Sequence, residues 1–160
     1  MYRILVTDGG YSHSLEIIRS LNKEGYKLDC IGLPLCLSSF SKSLNKLAFN
    51  QAFFKVSNID QFLLFLDKEK YDFLIPVGAQ SVYLVNKFRK EISKKVVINL
   101  APSKSINICL SKNKLLKLSN EIGIPIPKIY KKKDLIQIIQ NKEKFNKKIV
   151  VKPSSELSNS

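Results

Sequence analysis

Residues 7–14, TDGGYSHS, gather an acid, two adjacent glycines, several hydroxyl side chains and the only histidine of the chain. They follow an apolar run, YRILVT, and precede a helical pattern, so they sit where a strand hands over to a helix. In α/β sheets ligands bind in crevices at the carboxyl ends of strands, and helix N-termini there present backbone N–H groups that suit anions. The spacing is not G-x-G-x-x-G: Gly9 and Gly10 are adjacent, and Ser12 and Ser14 stand where later glycines would fall, so a dinucleotide fingerprint is absent. Two readings remain open. Gly9, Gly10 and Ser12 form a small-ligand site, or the segment is a tight turn closed by a serine N-cap. Asp8 either orients a ligand hydroxyl or closes its own turn. A single histidine, His13, excludes a multi-histidine metal site, and its plainer role is a surface or capping residue.

A second candidate is VGAQS at 77–81, at the end of another apolar run. Gly78 permits close approach, and Gln80 or Ser81 offers hydrogen bonds to a substrate. The alternative is a βα turn that needs its glycine for backbone geometry. The cysteines Cys30, Cys36 and Cys109 form no C-x-x-C pair, and their odd number points to reduced, structural thiols behaving as small buried hydrophobes.

The elements that must position these residues are legible from periodicity. Strands are expected at 2–7, 26–33, 51–57, 71–79 and 94–102, separated by helices at 12–25, 59–69 and across Val82, Val85, Phe88 and Ile92. Residues 34–50 read as a loop with one short helix. The helix from Ile59 to Glu69, with Asn58 as its N-cap, has the clearest amphipathic spacing: Ile59, Phe62, Leu63 and Leu66 lie at i, i+3, i+4 and i+7. Pro76 must fall at the end of its strand, because proline cannot donate within a ladder. Strands and helices alternating in this way define an α/β fold, a Rossmann-like doubly wound and mostly parallel sheet.

Composition narrows the function classes. At 160 residues and 44% hydrophobic, the chain can bury a core. No apolar run approaches the roughly 20 residues of a membrane span, and MYRILVTDGG lacks the order of a signal peptide, so a cytoplasmic protein without a membrane partner is expected. The net charge of +14 suggests nucleic acid or another polyanion. However, the basic residues are almost all lysine, with only Arg3, Arg19 and Arg89 as arginines, and they are spread over every segment. Bidentate phosphate and base recognition favours arginine, so solvated lysine faces explain the charge better than nucleic-acid binding.

The organisation changes in residues 111–128, SKNKLLKLSNEIGIPIPK. Leu115, Leu118 and Ile122 have helical spacing, Gly123 stands at a left-handed C-cap, and Pro125 and Pro127 forbid further helix. Next come a short strand at KIY (128–130), a helix over residues 135–140 and a strand at KKIVVKP (147–153). A lysine in a polar turn, a helix, then G-I-P-I-P-K, joined to V-V-K-P, resembles the beginning of an ATP-grasp domain. The resemblance is to the carbamoyl-phosphate-synthase-like, carboxylate-amine ligase branch and covers nearly the whole chain.

The resemblance implies that residues 1–110 correspond to the pre-ATP-grasp domain and 111–160 to the start of an incomplete α+β ATP-grasp domain. It implies a complete enzyme that uses ATP and Mg2+ to activate a carboxylate substrate as an acyl phosphate, which an amine attacks. Lys114 and Lys152 match the family's ATP-contacting lysines, with Lys112 as a competing assignment because Asn113-Lys114 stands where the family has Asp-Lys. By the same resemblance, the α/β loops with Gly9, Gly10, Ser12, Gly78 and Gln80 take the non-nucleotide substrate, although Gln80 replaces a frequent acid. SSELSNS after Pro153 departs from the family's glycine-rich phosphate loop. Metal-ligating and catalytic residues are expected from sequence beyond this chain or from a second chain, so 160 residues alone should not catalyse ligation. The competing expectation is a stand-alone small-molecule-binding or regulatory α/β domain.

Overall fold

A computed structural model describes residues 1–130 together with Ile136, Gln140 and Val150. They fall in two compact units, residues 1–106 and residues from 107 onward. The first unit carries a five-stranded sheet built from β1 (Arg3–Val6), β2 (Lys27–Gly32), β3 (Lys46–Asn50), β4 (Phe73–Ile75) and β5 (Val97–Ile98). The order is β3-β2-β1-β4-β5 and every pairing is parallel, with Leu5 registered against Asp29 on one side and Leu74 on the other.

Alternation along the strands divides the core. On one face Ile4, Val6, Leu28 and Cys30 pack with Ile18 of α1 (Ser12–Lys23). On the opposite face Leu5, Ile31 and Leu74 pack with Phe62 and Leu66 of α2 (Ile59–Glu69) and with Leu84 and Val85 of α3 (Ala79–Lys87). Covering both faces is what an all-parallel sheet requires. Tyr26 N–H reaches back to Leu21 C=O at 3.2 Å and Gly25 N–H to Asn22 C=O at 3.0 Å, which closes α1 as the glycine stop implied.

The opposite pole of the sheet, at the strand N-termini, is tied by charge. Asp29 is fully buried and accepts hydrogen bonds from the Arg3 guanidinium at 3.0 Å, the Asn45 amide at 2.6 Å and the Tyr71 hydroxyl at 2.8 Å. Arg3 also reaches the Glu69 carboxylate at 3.0 Å, and its guanidinium lies 4.7 Å from the centre of the Tyr71 ring. Every partner a buried carboxylate needs is present, so the network holds the pole together and leaves the Asp29 carboxylate no vacancy for a ligand.

Three expectations are corrected. The third strand occupies Lys46–Asn50 rather than 51–57, where two 3₁₀ turns run instead. Asn50 ends the strand by accepting the Ala52 N–H at 2.9 Å. This edge strand is only partly buried, so its alternation is weak, while the apolar residues after it bury only Phe54. The helix expected across Val82–Ile92 bends at Phe88 (φ −106, ψ 30) into α3 and α4 (Arg89–Ile92), where Arg89 is drawn to the Asn86 side chain and to Leu100 C=O. Asn58 does precede α2, but its side chain makes no cap hydrogen bond. α5 (Ser103–Cys109) comes after β5, with Ile106 buried. Of the thiols, only Cys30 is fully buried; Cys36 is half-buried and Cys109 exposed.

In the second unit α6 spans Lys112–Glu121. The Ser111 side chain accepts the Lys114 N–H at 3.4 Å, and beyond the helix Gly123 takes φ +77. Ile124 N–H bonds Ser119 C=O at 2.8 Å and Gly123 N–H bonds Asn120 C=O at 3.2 Å, a Schellman closure. Residues 128–130 form no strand, contrary to expectation. The helix expected over residues 135–140 lies mostly outside the described residues, although Ile136 and Gln140 are helical. The strand expected at 147–153 also lies outside them, and Val150 has no regular secondary structure. Among the described residues no helix is long and apolar enough to cross a membrane.

Candidate functional site

The strand order reverses direction between β1 and β4, so the loops leaving these neighbours diverge to opposite faces, the switch point at whose carboxyl ends α/β sheets bind ligands. These are the two loops singled out by sequence, 7–14 and 77–81. Asp8 joins them. Its backbone has φ +59, a left-handed conformation that aspartate tolerates better than most residues. Its carboxylate accepts hydrogen bonds from Gly78 N–H at 2.8 Å and from the Thr7 hydroxyl. Thr7 Oγ1 in turn accepts Val77 N–H at 3.0 Å. Gln51, just after β3, completes the junction, with Nε2 3.4 Å from the Asp8 carboxylate and Oε1 3.3 Å from the Asp8 backbone nitrogen.

The predicted residues play distinct parts. Gly9 is buried, donates its N–H to Ile31 C=O at 2.9 Å and accepts Ser38 N–H at 2.8 Å. A Cβ on Gly9 would stand 2.8 Å from Cys30 Sγ and 2.9 Å from Cys36 Sγ. Gly78 is buried too, and a Cβ there would meet the Asp8 carboxylate and the Tyr11 ring at 2.9 Å. Both glycines are therefore demanded by close packing. Gly10, Ser12 and Gln80 are exposed, and nothing lies within 4 Å of a Cβ on Gly10. His13 is exposed.

No serine caps α1. The cap position belongs to Tyr11, which makes no side-chain cap bond, and Ser14 is buried with its hydroxyl donating to Thr7 C=O at 2.8 Å. α3 likewise starts at Gly78 without a side-chain cap. Ser81 is 1% exposed and its hydroxyl has no hydrogen-bond partner. Sequence reasoning missed Gln51 and Thr7. Thr7 ends a strand in which any hydroxyl looks incidental, and Gln51 falls in a segment whose apolar neighbours read as a strand.

In the second unit Lys114 is exposed in the first turn of α6. Lys152 lies outside the described residues. A groove of about 480 Å³ runs between α6 and residues 126–129, lined by Asn113, Leu116, Lys117 and Lys128 among others, and Lys114 does not line it. Among the described residues no group of three or more His, Cys, Asp or Glu converges to hold a metal ion.

The fold is shared with several solved structures at low sequence identity. An N5-carboxyaminoimidazole ribonucleotide synthetase from Thermotoga maritima matches 88% of this chain with a TM-score of 0.58 and 16% identity. Glycinamide-RNase-transformylase T from Mycobacterium tuberculosis matches 85% with a TM-score of 0.59 and 12% identity. A carboxyaminoimidazole ribonucleotide synthase from Aspergillus clavatus, complexed with ATP, matches 87% with a TM-score of 0.58 and 13% identity. The chain spans 36%, 38% and 35% of these proteins respectively. No family model matches the sequence, and no curated protein matches it.

Proposed function

We propose that the chain forms the N-terminal part of an ATP-dependent carboxylate-amine ligase of the ATP-grasp type. The observation that carries this reading is the switch point between β1 and β4, in a fold that matches these proteins over most of the chain. Gly10, Ser12 and Gln80 are its exposed residues and bind the non-nucleotide carboxylate substrate. Gly9 and Gly78 let its loops pack closely, and the Asp8 junction fixes the distance between the loops. α1 has no side-chain cap, and its N-terminus at Ser12 offers backbone N–H groups to meet a carboxylate.

Bound ATP supplies the phosphoryl group that turns the carboxylate into an acyl phosphate open to attack by an amine. Toward ATP, Lys114 and Lys152 contribute positive charge at the phosphates, and Lys114 is free of the groove wall and exposed to do so. The described residues do not fit Mg2+, since they offer no converging acidic set. In this reading the chain alone does not complete the ligase site, and a second chain or further sequence supplies the remainder. Calorimetry with Mg-ATP tests it: weak or no binding is expected for the chain alone. Tight binding that survives both Lys114→Ala and Lys152→Ala overturns the lysine assignment.

A second reading has its own support. Both loops of the switch point, 7–14 and 77–81, belong to the first unit, residues 1–106, as a small-molecule-binding domain would require. Nuclear magnetic resonance of residues 1–160 with small carboxylates distinguishes the two. Saturable shifts at Gly10 and Gln80, unchanged by adding Mg-ATP together with a chain bearing the missing ATP-grasp portion, favour the stand-alone domain.

A further inference from the structure

Cys30 lies on β2 and Cys36 in the loop that leaves it, and the two sulfurs converge on one point. That point is the position a Gly9 Cβ would occupy, 2.8 Å from Cys30 Sγ and 2.9 Å from Cys36 Sγ. The sulfurs are therefore separated by no more than the two distances together, 5.7 Å. A Cβ on Gly32 would also lie 2.7 Å from Cys36 Sγ. The absent side chains of Gly9 and Gly32 thus leave the volume in which the sulfurs meet. The connecting loop is held in shape: Cys36 N–H bonds Leu33 C=O at 3.1 Å, and the Ser39 hydroxyl donates to Cys36 C=O at 2.6 Å. A disulfide needs its sulfurs at about 2.05 Å, so closure requires the two side chains to rotate toward each other and the loop to shift.

We propose that Cys30 and Cys36 are a redox pair that closes reversibly into an intrachain disulfide under peroxide. The two thiols have different access. Cys36 is half-buried and meets solvent, whereas Cys30 is fully buried with Asp8 and Asp29 as charged neighbours. Peroxide therefore oxidises Cys36 to a sulfenic acid, releasing one water. The Cys30 sulfur then attacks the Cys36 sulfur, the S–O bond breaks, and the oxygen leaves as a second water carrying the Cys30 proton. Two thiols lose two electrons in all, and the peroxide gains them. The bond would sit against Gly9, fastening the 33–41 loop to β2 behind the loop after β1. This proposal does not depend on the ligase reading.

The test uses the full chain carrying Cys109→Ser, which removes the exposed thiol and intermolecular pairing. After hydrogen peroxide treatment, alkylation under unfolding conditions and trypsin digestion, both sulfurs fall in one peptide, residues 28–42, because no Lys or Arg lies between them. The expected product is that peptide without alkyl groups and lighter by two hydrogens, returning to a doubly alkylated form after dithiothreitol. Cys36→Ser should leave Cys30 alkylatable at the same peroxide dose. The proposal is overturned if the peptide carries two alkyl groups at a dose that oxidises Cys109 in the parent chain. It is equally overturned if Cys36 advances to the sulfinic acid while Cys30 stays a free thiol.

Discussion

The Asp8 carboxylate accepts the Gly78 N–H at 2.8 Å, across 70 residues of sequence, and so fastens the loop after β1 to the loop after β4. The same side chain holds the Thr7 hydroxyl and the Gln51 amide, so one residue joins three loop segments at the switch point. Asp8→Asn keeps a residue tolerant of φ +59 but loses the charge that strengthens these bonds, and should cost about 1–2 kcal/mol. Asp8→Ala loses the bonds and adds left-handed strain, for a total of about 2–4 kcal/mol. Urea unfolding should rank wild type above Asn above Ala, and equal midpoints for all three would show that the junction carries no stability.

Gly78 and Gly10 provide a matched pair. Gly78→Ala places a Cβ 2.9 Å from the Asp8 carboxylate and the Tyr11 ring, so the junction must open, at about 1–3 kcal/mol. Gly10→Ala meets nothing within 4 Å and should leave the midpoint within about 0.5 kcal/mol of wild type. Thermal melts of the two variants check this, and a larger loss at Gly10 would contradict the packing described.

The sheet was legible in the sequence because its central strands are continuous apolar runs between glycine and proline punctuation. α2 has the expected limits, Ile59–Glu69, because four apolar residues at helical spacing meet the sheet. The edge strand was misplaced because its residues are only partly buried against the core on either face, and Phe53, Phe54 and Val56 imitate a strand nearby. At the site, residue types identified both loops. The connection between them was not legible, since the bond from Asp8 to Gly78 and the bridge from Gln51 depend on contacts far apart in sequence.

Stability should fall at both ends of the pH range. Hydrogen bonds from Lys46 and then Arg3 hold the Glu69 carboxyl below its ordinary value. This contribution is complete above the unfolded carboxyl's pKa and disappears as pH falls through the folded one, so Glu69→Gln should flatten the acid limb. Burial, with Cys36 nearby, pushes the Cys30 thiol up to about 12. Burial and then the bond to Asp29 push the Tyr71 hydroxyl up as well. These contributions are complete below the unfolded pKa values and decline as pH rises through the folded ones, so destabilisation should set in above about pH 9. Urea midpoints measured across pH, with Tyr71→Phe and Cys30→Ala each reducing the alkaline slope, check the assignment; an unchanged slope in both would refute it.

Gly123 ends α6 with φ +77, and the two hydrogen bonds at its closure turn the chain into the I-P-I-P segment. A side chain at this position meets no neighbour, so any cost of Gly123→Ala arises from backbone conformation alone. That cost should be about 1 kcal/mol, because alanine disfavours the left-handed region that glycine occupies freely. Gly123→Asn should recover part of it, since asparagine adopts this conformation more readily. The loss belongs to the second unit: amide exchange at Ile122, Gly123 and Ile124 should accelerate in the alanine variant, while Leu5, Ile31 and Leu74 in the sheet keep their protection. Faster exchange in the sheet as well would mean that the two units unfold as one.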